Sequence, residues 1–158
     1  MPKIHLTTFI AAPQQRVFDL SRSIDLHKES MKKFNEQAVS GTRFGLIEED
    51  EMVTWQARHL GKTRQMRVKI TRMEKPGTFT DEQNEGSFKM MKHEHYFKPC
   101  DNGTIMIDFF EYEVPYGGLG KLFDRVYLNR YITRLLEERN RTIKSFAESD
   151  QWRRLLMK

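Results

Sequence analysis

Apolar and polar residues alternate in short stretches over much of the chain, and turn residues separate one stretch from the next. Residues 4–10 alternate in this way and end at Ala11-Ala12-Pro13, which predicts a first strand followed by a helix with proline in its first turn. Between Thr42 and Pro115, turn sequences recur at the spacing typical of an antiparallel meander. This region predicts six more strands, near residues 43–47, 52–60, 64–74, 78–84, 88–98 and 104–115.

Two short helices are predicted between the first strand and this meander. The first would bury Val17, Phe18 and Leu20, and Ser23 is placed to cap the second. Gly41 is expected to end the helical region. The packing residues of the second helix would be Ile24, Leu26, His27 and Met31.

Residues 117–148 predict one long C-terminal helix, because no proline or glycine follows Gly120 in a stretch rich in good helix formers. Its start breaks the helical pattern, so apolar groups must cover both sides there or the helix must bend. Arg139 projects from the apolar face and therefore needs an acidic partner or a solvated cavity. The residues of the apolar face are Leu128, Tyr131, Ile132, Leu135, Leu136, Ile143, Phe146 and Ala147, and those of the early, opposite side are Leu119, Leu122, Phe123 and Val126.

The order of the elements predicts an α+β fold, in which a curved seven-stranded antiparallel sheet wraps around the long helix. One domain would span residues 1–149, and residues 150–158 would form a short extension in which Trp152 and Leu155 dock back. A cavity is expected between the sheet, the long helix and the two short helices.

Composition excludes several classes of function. The single cysteine, Cys100, excludes an internal disulfide and a zinc site built from several cysteines, and it indicates a reducing compartment. The net charge is +5, but Lys and Arg are dispersed among Asp and Glu, which disfavours nucleic-acid binding. No apolar run reaches the roughly 20 residues of a membrane span, and no signal peptide is visible, so a cytoplasmic protein is expected.

Several short motifs, in their order along the chain, resemble those of one protein superfamily. The opening motif is Ala12-Pro13-x-x-Arg16-Val17-Phe18-Asp19-Leu20. The central motifs are Val53-Thr54-Trp55-Gln56-Ala57-Arg58-His59, Phe79-Thr80-Asp81-Glu82-Gln83, Gly86-Ser87-Phe88, His93-Glu94-His95-Tyr96-Phe97 and Gly103-Thr104. The closing motifs are Pro115-x-Gly117-Gly118-Leu119-Gly120, Arg130-Tyr131 and Leu135-Leu136-Glu137-Glu138-Arg139-Asn140.

These motifs resemble the SRPBCC superfamily, which includes START and birch-pollen-allergen-like proteins, and its bacterial polyketide cyclase/dehydrase-like branch in particular. The resemblance covers essentially the whole chain. It implies the helix-grip fold and a hydrophobic ligand cavity. The chemistry of the family is too varied to imply a reaction.

Strand alternation predicts which side chains face that cavity. Strand 104–115 is ambiguous, because Ile105, Ile107 and Phe109 make its second face as apolar as its first. The predicted ligand-binding residues are Trp55, His59, Met66, Asp81, Gln83, Met91, His93, His95, Asp108, Phe110, Tyr112, Phe123 and Arg139.

Three interpretations of the inward polar residues remain open. They could ligate zinc or iron, they could act as acid and base, or they could bind one another and water within a cavity. No helical His-Glu-x-x-His motif is present, so no metal and no other cofactor is expected. The chain also has no nucleophile motif and no dinucleotide fingerprint, and the glycines at 117, 118 and 120 are interpreted as a hinge.

The leading functional hypothesis is an intracellular binding protein for a small, mainly hydrophobic molecule such as a lipid, polyketide, quinone or aromatic metabolite. The alternative is a cyclase- or dehydratase-type enzyme that uses His93, His95 and Asp108 as acid and base. A third hypothesis is a partner-binding module that acts through the apolar start of the long helix. That segment would form a movable lid over the cavity or a homodimer contact.

Overall fold

A computed structural model describes residues 1–157 of the chain. The strands are β1 (Lys3–Ile10), β2 (Gln37–Gly41), β3 (Met52–His59), β4 (Lys62–Glu74), β5 (Thr78–Glu85), β6 (Met90–Cys100) and β7 (Gly103–Glu113). The helices are α1 (Gln14–Ser21), α2 (Ile24–Ser30), α3 (Gly117–Phe123), α4 (Asn129–Ala147) and α5 (Trp152–Leu156). A 3₁₀ turn covers Lys32–Phe34, and a π-helical segment, Asp124–Leu128, joins α3 to α4.

Within residues 1–157 the seven strands form one antiparallel sheet in the order β1-β7-β6-β5-β4-β3-β2. Strands β2 to β7 follow one another as a meander, and β1 completes the sheet by pairing with β7. The predicted seven-stranded α+β architecture is therefore confirmed. The pairing places β5, β6 and β7 side by side, so that Asp81 lies opposite His93 and His95 lies opposite Asp108.

The structure corrects the prediction between the short helices and β3. The last helical turn ends at Phe34, followed by Asn35 in the left-handed conformation, so Gly41 does not end the helical region. Gly41 instead ends β2, and the predicted strand at 43–47 is wrong: this segment makes only an isolated bridge, Ser23 to Leu46. β2 escaped prediction because it is a mostly exposed edge strand with little apolar content.

The two predicted short helices are present, and α1 packs against β6, β7 and α4. Val17, Phe18 and Leu20 of α1 are fully buried. Pro13 lies one residue before the helix, at its N-cap rather than in its first turn. The Ser23 hydroxyl accepts a hydrogen bond from the backbone N–H of Leu26 and so caps α2.

The C-terminal helix runs without a break from α3 through the π-helical segment into α4. A π-helical turn accommodates extra residues, so it shifts which residues of the following helix face the core. After this shift the buried stripe of α4 consists of Ile132, Leu136, Arg139, Asn140, Ile143, Phe146 and Ala147. The early apolar residues are not covered, because Leu119, Leu122, Phe123 and Val126 are all exposed within residues 1–157.

The glycines before the long helix have different roles. A Cβ atom on Gly120 would lie 2.1 Å from the carbonyl oxygen of Pro115, so this position requires close backbone approach. Gly117 has a φ of +54°, a backbone conformation that residues other than glycine rarely adopt. At Gly118 a Cβ atom would meet open space. Close packing at Gly120 therefore corrects the interpretation of all three as a hinge.

The C-terminal residues dock on α1, as expected for Trp152 and Leu155. Both are partly buried against the core, and the guanidinium group of Arg16 lies 4.2 Å from the centre of the Trp152 ring. Across residues 1–157, no helix is both long and apolar enough to cross a membrane.

One buried contact ties the start of the long helix to the sheet. Tyr112 is fully buried on β7, and its hydroxyl donates a hydrogen bond to the carboxylate of Asp124 in the π-helical segment. The amide of Asn129 donates to the same hydroxyl oxygen at 3.0 Å. Tyr112 therefore positions the junction between α3 and α4.

We expect Tyr112→Phe to lower the free energy of unfolding by about 1–3 kcal/mol, because it leaves a buried carboxylate without its donor. Urea denaturation measures this loss. Tyr96→Phe is the matched control, since the half-buried Tyr96 hydroxyl makes no hydrogen bond to residues 1–157. Equal losses in the two variants would contradict the role given to Tyr112.

Candidate ligand-binding cavity

The inner face of the sheet, the long helix and the α1–α2 junction enclose a cavity of about 420 Å³. Most of its lining is apolar. Aliphatic and aromatic side chains from β3, β4, β6, β7 and α4 form the walls, namely Val53, Trp55, Ala57, Met66, Val68, Ile70, Met91, Phe110, Ile132, Leu135 and Leu136. Leu60, Arg64, Tyr116 and Phe123 both line the cavity and are exposed, so they mark its mouth.

The structure brings most of the predicted site residues to this cavity. Strand alternation explains their placement, since Met91, His93, His95 and Phe97 on β6 are all buried while the residues between them are only partly buried. The residues that line the cavity are Trp55, His59, Met66, Asp81, Met91, His93, His95, Phe110, Phe123 and Arg139. Three predicted residues do not line it: Gln83, Asp108 and Tyr112.

Each of these three exceptions has a structural contact that explains it. Gln83 bonds both the backbone N–H and the carbonyl of Phe88, so it holds the loop before β6. Tyr112 bonds Asp124, as described above. Asp108 is fully buried next to the two histidine rings. Strand alternation places them on the same face as the cavity residues, but they do not line the cavity themselves.

Asp108 is the centre of a buried polar network. Its Oδ1 lies 2.8 Å from Nε2 of His93 and 3.5 Å from Nδ1 of His95. Its Oδ2 accepts a hydrogen bond of 2.8 Å from the amide of Asn140. Arg139 approaches the same carboxylate to 3.6 Å. One carboxylate therefore contacts β6 and α4 at once.

Arg139 has both kinds of surroundings that its position on the helix predicted. It pairs with an acid, Asp108, and it also lines the cavity. Its Nη1 donates to Oδ1 of Asn140 at 3.0 Å, and its Nη2 donates to the Ser21 hydroxyl at 2.7 Å. These bonds join the middle of α4 to the end of α1.

A second carboxylate–histidine pair lies at the cavity surface. Oδ2 of Asp81 is 2.7 Å from Nε2 of His95, and Nη2 of Arg139 is 3.4 Å from Nδ1 of the same ring. The ring stacks on Phe79 with centroids 4.1 Å apart and on His93 at 3.7 Å. Nε2 of His95 is therefore assigned as the nitrogen that donates to Asp81, while Nδ1 faces both the Arg139 guanidinium group and, at 3.5 Å, Oδ1 of Asp108.

The protonation states follow from burial and from these partners. Burial, together with the neighbouring His95, lowers the pKa of His93 to about 4, so its ring is neutral at pH 7. Burial alone would raise the pKa of Asp108, but the hydrogen bond from His93, the adjacent His95 ring and the charge of Arg139 outweigh it and hold the pKa well below its usual value. Burial acts most strongly on Asp81 and would raise its pKa, but the hydrogen bond from His95 and the nearby charge of Arg139 together outweigh burial and lower the pKa. Both carboxylates are therefore ionised.

A separate polar group lies toward the mouth of the cavity. Nδ1 of His59 is 2.8 Å from the Tyr131 hydroxyl, and the His59 ring packs on Phe34. Tyr131 precedes Arg139 by two turns of α4, which places this pair about 12 Å from Arg139 along the helix. Burial lowers the pKa of His59, which favours its neutral form.

Sequence reasoning missed several residues of the site. His27 was expected only to pack or to lie on the surface, yet it lines the cavity, stacks on Trp55 at 4.2 Å and bonds Glu36 at 2.7 Å. Asn140 was not singled out either, although it lies four residues after Leu136 and so belongs to the same helical stripe. A polar residue on that stripe was the signal that could have identified it.

Asp81, His93 and His95 also have the composition of a metal site. One ligand-type atom from each lies within 4.8 Å of the others. However, a metal at Nε2 of His95 would displace the proton that bonds Asp81, and the remaining proton on Nδ1 would face Arg139. The absence of a tightly bound metal stays a prediction.

The network can act on a ligand in two ways. Asp81 and His93 lie at the cavity wall and can accept hydrogen bonds there. Nε2 of His93 donates to Asp108, so Nδ1 carries the lone pair, and it makes no hydrogen bond to residues 1–157. A neutral ring with a free lone pair can also accept a proton, which is the property of a general base.

No protein-family model matches the sequence, and no curated protein matches it. Solved structures do match. A crystal structure of a protein from Thermus thermophilus is 18% identical, with a TM-score of 0.71, over 91% of this chain and 98% of that one. A START superfamily protein from Mycobacterium smegmatis is 10% identical, with a TM-score of 0.69, over 92% and 97% of the two chains.

The di-domain ARO/CYC StfQ, from the steffimycin biosynthetic pathway, is 13% identical with a TM-score of 0.72. The match covers 92% of this chain and 50% of that chain, so this chain corresponds to half of the di-domain protein. At such low identity the matches bear on the fold alone. The chain therefore shares the fold of these proteins, and the helix-grip architecture that its sequence motifs predicted is confirmed.

Proposed function

We propose that this chain binds a small, mainly apolar molecule with one polar end inside its cavity. The observation that carries the proposal is the division of the lining. Apolar walls surround most of the space, and the buried network of Asp81, His93, His95 and Arg139 faces one part of it. Apolar contact would supply most of the affinity, at about 25 cal/mol per Å² of surface buried, and the polar groups would set the orientation.

The candidate ligands are lipids, polyketides, quinones and aromatic metabolites. The stacked and edge-on rings around the cavity favour a flat or aromatic molecule among these, because aromatic pairs gain energy beyond burial alone. The similarity to an ARO/CYC protein of a biosynthetic pathway supports the same choice. Native mass spectrometry of the purified protein tests the proposal directly: a small molecule should co-purify and be released on denaturation.

An enzyme of the cyclase or dehydratase type is the second candidate. The pairing of a neutral His93 with the ionised Asp108 favours it, since a carboxylate that orients an imidazole is a common arrangement for proton transfer. The two candidates differ in what happens to the ligand. Incubating the protein with its co-purified molecule, or with that molecule's precursor, should return an unchanged compound from a carrier and a dehydrated or cyclised one from an enzyme.

A variant that fills the cavity should lose binding. Ala57 is buried in the cavity wall on β3, and Ala57→Phe would place an aromatic ring in that space. We expect the affinity for the neutral fluorescent probe N-phenyl-1-naphthylamine to fall at least about tenfold, because the ring displaces apolar contact surface. A fluorescence titration measures this.

Arg58→Phe is the matched control for this variant. It adds the same ring one residue along β3, on the exposed face of the sheet. Its affinity for the probe should equal that of the wild type. Unchanged binding in Ala57→Phe would show that the probe, and by extension the ligand, does not enter this cavity.

Acid should destabilise the protein through His93. The pKa of His93 is about 4 in the folded chain and 6.5 when unfolded, so below pH 6.5 only the unfolded chain takes up this proton. The free energy of unfolding should therefore fall between pH 7 and pH 5, with about 2 kcal/mol of the fall due to this ring. The two carboxylates add their effect only below about pH 4, because their pKa values are lowered.

Urea denaturation at the two pH values measures this dependence. In His93→Gln the decrease in the free energy of unfolding between pH 7 and pH 5 should be smaller by about 2 kcal/mol, because glutamine takes up no proton. Its amide can still donate to Asp108. His5→Gln, which changes an exposed histidine, should keep the wild-type fall. The same pH dependence in all three proteins would mean that His93 is not held neutral.

The exposed start of the long helix remains a proposed lid or dimer contact, and two variants separate these roles. Phe123 lines the cavity and Leu119 does not, although both are exposed apolar residues of α3. If the segment is a lid, Phe123→Ser should weaken probe binding several-fold and Leu119→Ser should not. If it is a dimer contact, both should shift the protein toward monomer in analytical ultracentrifugation. No change in either measurement would exclude both roles.

A further inference from the structure

We propose that the polar end of the ligand is a hydrogen-bond donor, a hydroxyl or amine group, for which Asp81 and His93 supply the acceptors. This inference rests on the proposed binding function and specifies the chemical class of the ligand. It predicts that a ligand carrying a carboxylate at that end is rejected. Four observations lead to it.

The charges at this end of the cavity do not balance. Asp81 and Asp108 are two carboxylates, and Arg139 is the one guanidinium group of the described residues that contacts this network. Arg139 is close to Asp108, which also receives hydrogen bonds from His93 and Asn140. Asp81 makes its one hydrogen bond to the His95 ring, and no Arg or Lys of residues 1–157 lies within ion-pair distance of it.

Asp81 presents this charge to the cavity. Its Oδ2 accepts the hydrogen bond from His95, whereas its Oδ1 makes no hydrogen bond within residues 1–157. The side chain is 17% exposed and lines the cavity, while Asp108 is fully buried behind the rings. An ionised oxygen in such a position accepts hydrogen bonds strongly and repels another anion.

His93 presents a second acceptor beside the first. The bond from its Nε2 to Asp108 fixes the tautomer, so Nδ1 is an acceptor. Asp81 and His93 are direct partners across β5 and β6, so their side chains project from the same face of the sheet. An oxygen of Asp81 and a ring nitrogen of His93 lie within 4.8 Å of each other. A ligand amine nitrogen at about 2.8 Å from each can span that gap and donate one N–H to each acceptor, whereas a hydroxyl, with one hydrogen, donates to one of the two.

The cation of the site is already engaged. Both terminal nitrogens of Arg139 donate to protein oxygens, Nη1 to Asn140 and Nη2 to Ser21. A carboxylate ligand would therefore meet the charge of Asp81 without the bidentate guanidinium contact that carboxylates favour. The Nε–H of Arg139 and the second N–H of Nη1 make no hydrogen bond to residues 1–157, but Nη1 lies 3.6 Å from Asp108, so Nε–H is the donor of this side chain best able to favour an anion.

Matched naphthalene compounds test the inference at pH 7. Competition with N-phenyl-1-naphthylamine would give affinities for 2-naphthol, 2-ethylnaphthalene and 2-naphthoate, which share one ring system and differ at one substituent. We expect 2-naphthol to bind about tenfold more tightly than 2-ethylnaphthalene, since it adds a hydrogen bond to a charged acceptor. It should bind at least about a hundredfold more tightly than 2-naphthoate.

Asp81→Asn should narrow the preference for 2-naphthol over 2-naphthoate by about tenfold, because it removes the charge and keeps the size of the side chain. Glu82→Gln is the matched control. It makes the same chemical change at the next residue of β5, which points away from the cavity, and it should leave the preference unchanged. If Asp81→Asn does not fold, the wild-type series still decides the question.

Each outcome has a distinct meaning. Equal affinities for 2-naphthol and 2-ethylnaphthalene would overturn donor recognition while leaving the binding function intact. If 2-naphthoate bound more tightly than 2-naphthol, and Arg139→Lys removed this preference, the arginine would recognise an anion. That result would also overturn donor recognition. Failure of all three compounds and of the probe to bind would overturn the proposed binding function itself.

Discussion

Asp108 is a carboxylate with no exposed surface, and the arrangement of the site depends on the groups that compensate its charge. An isolated buried charge costs several kcal/mol, so the chain must supply donors from all sides. His93 supplies one from the neighbouring strand, and Asn140 and Arg139 supply others from the long helix. The helix and the sheet are thereby held in one relative position by polar contacts as well as by the apolar core.

The same compensation determines what the cavity presents to a ligand. Because Asp108 accepts a hydrogen bond from the Nε2–H of His93, the ring is held in one tautomer. Its lone pair is then on Nδ1. Arg139 is engaged by Asp108, Ser21 and Asn140, and it forms no ion pair with Asp81. The buried pairs thus leave a small set of acceptors at one end of a mostly apolar space, which suits a ligand with a polar group at that end.

The start of the long helix is held by a polar contact, and its apolar residues are exposed. Tyr116 is 87% exposed and Leu119 is 81% exposed. Asp124, which begins the π-helical segment, is instead buried and bonded to Tyr112. One polar contact therefore holds the helix start on the sheet although its apolar residues face outward. An uncovered apolar group of this kind next to a cavity mouth is more typical of a contact surface than of a folded core.

Much of the fold could be predicted from local patterns. Strand alternation placed His93, His95 and Asp108 on the inner face, and the helical pattern showed that Arg139 needed an acid or a cavity. These predictions succeeded because the direction of a side chain depends on the local backbone. The edge strand β2 was not predicted, because an exposed strand carries no apolar alternation. The π-helical segment changed which residues of the long helix face the core, and a regular helical period does not describe such a change.

The sequence by itself determined the types of the elements, the faces they bury and the inward direction of the polar groups. Only the tertiary structure decided which of those groups meet, that Asp81 and His93 reach the cavity and that Asp108, Tyr112 and Gln83 do not. It also brought in His27 and Asn140. The physical reason is that periodicity specifies a direction for each side chain, whereas a distance of about 3 Å between two side chains depends on strand register and helix placement, which the whole chain sets together.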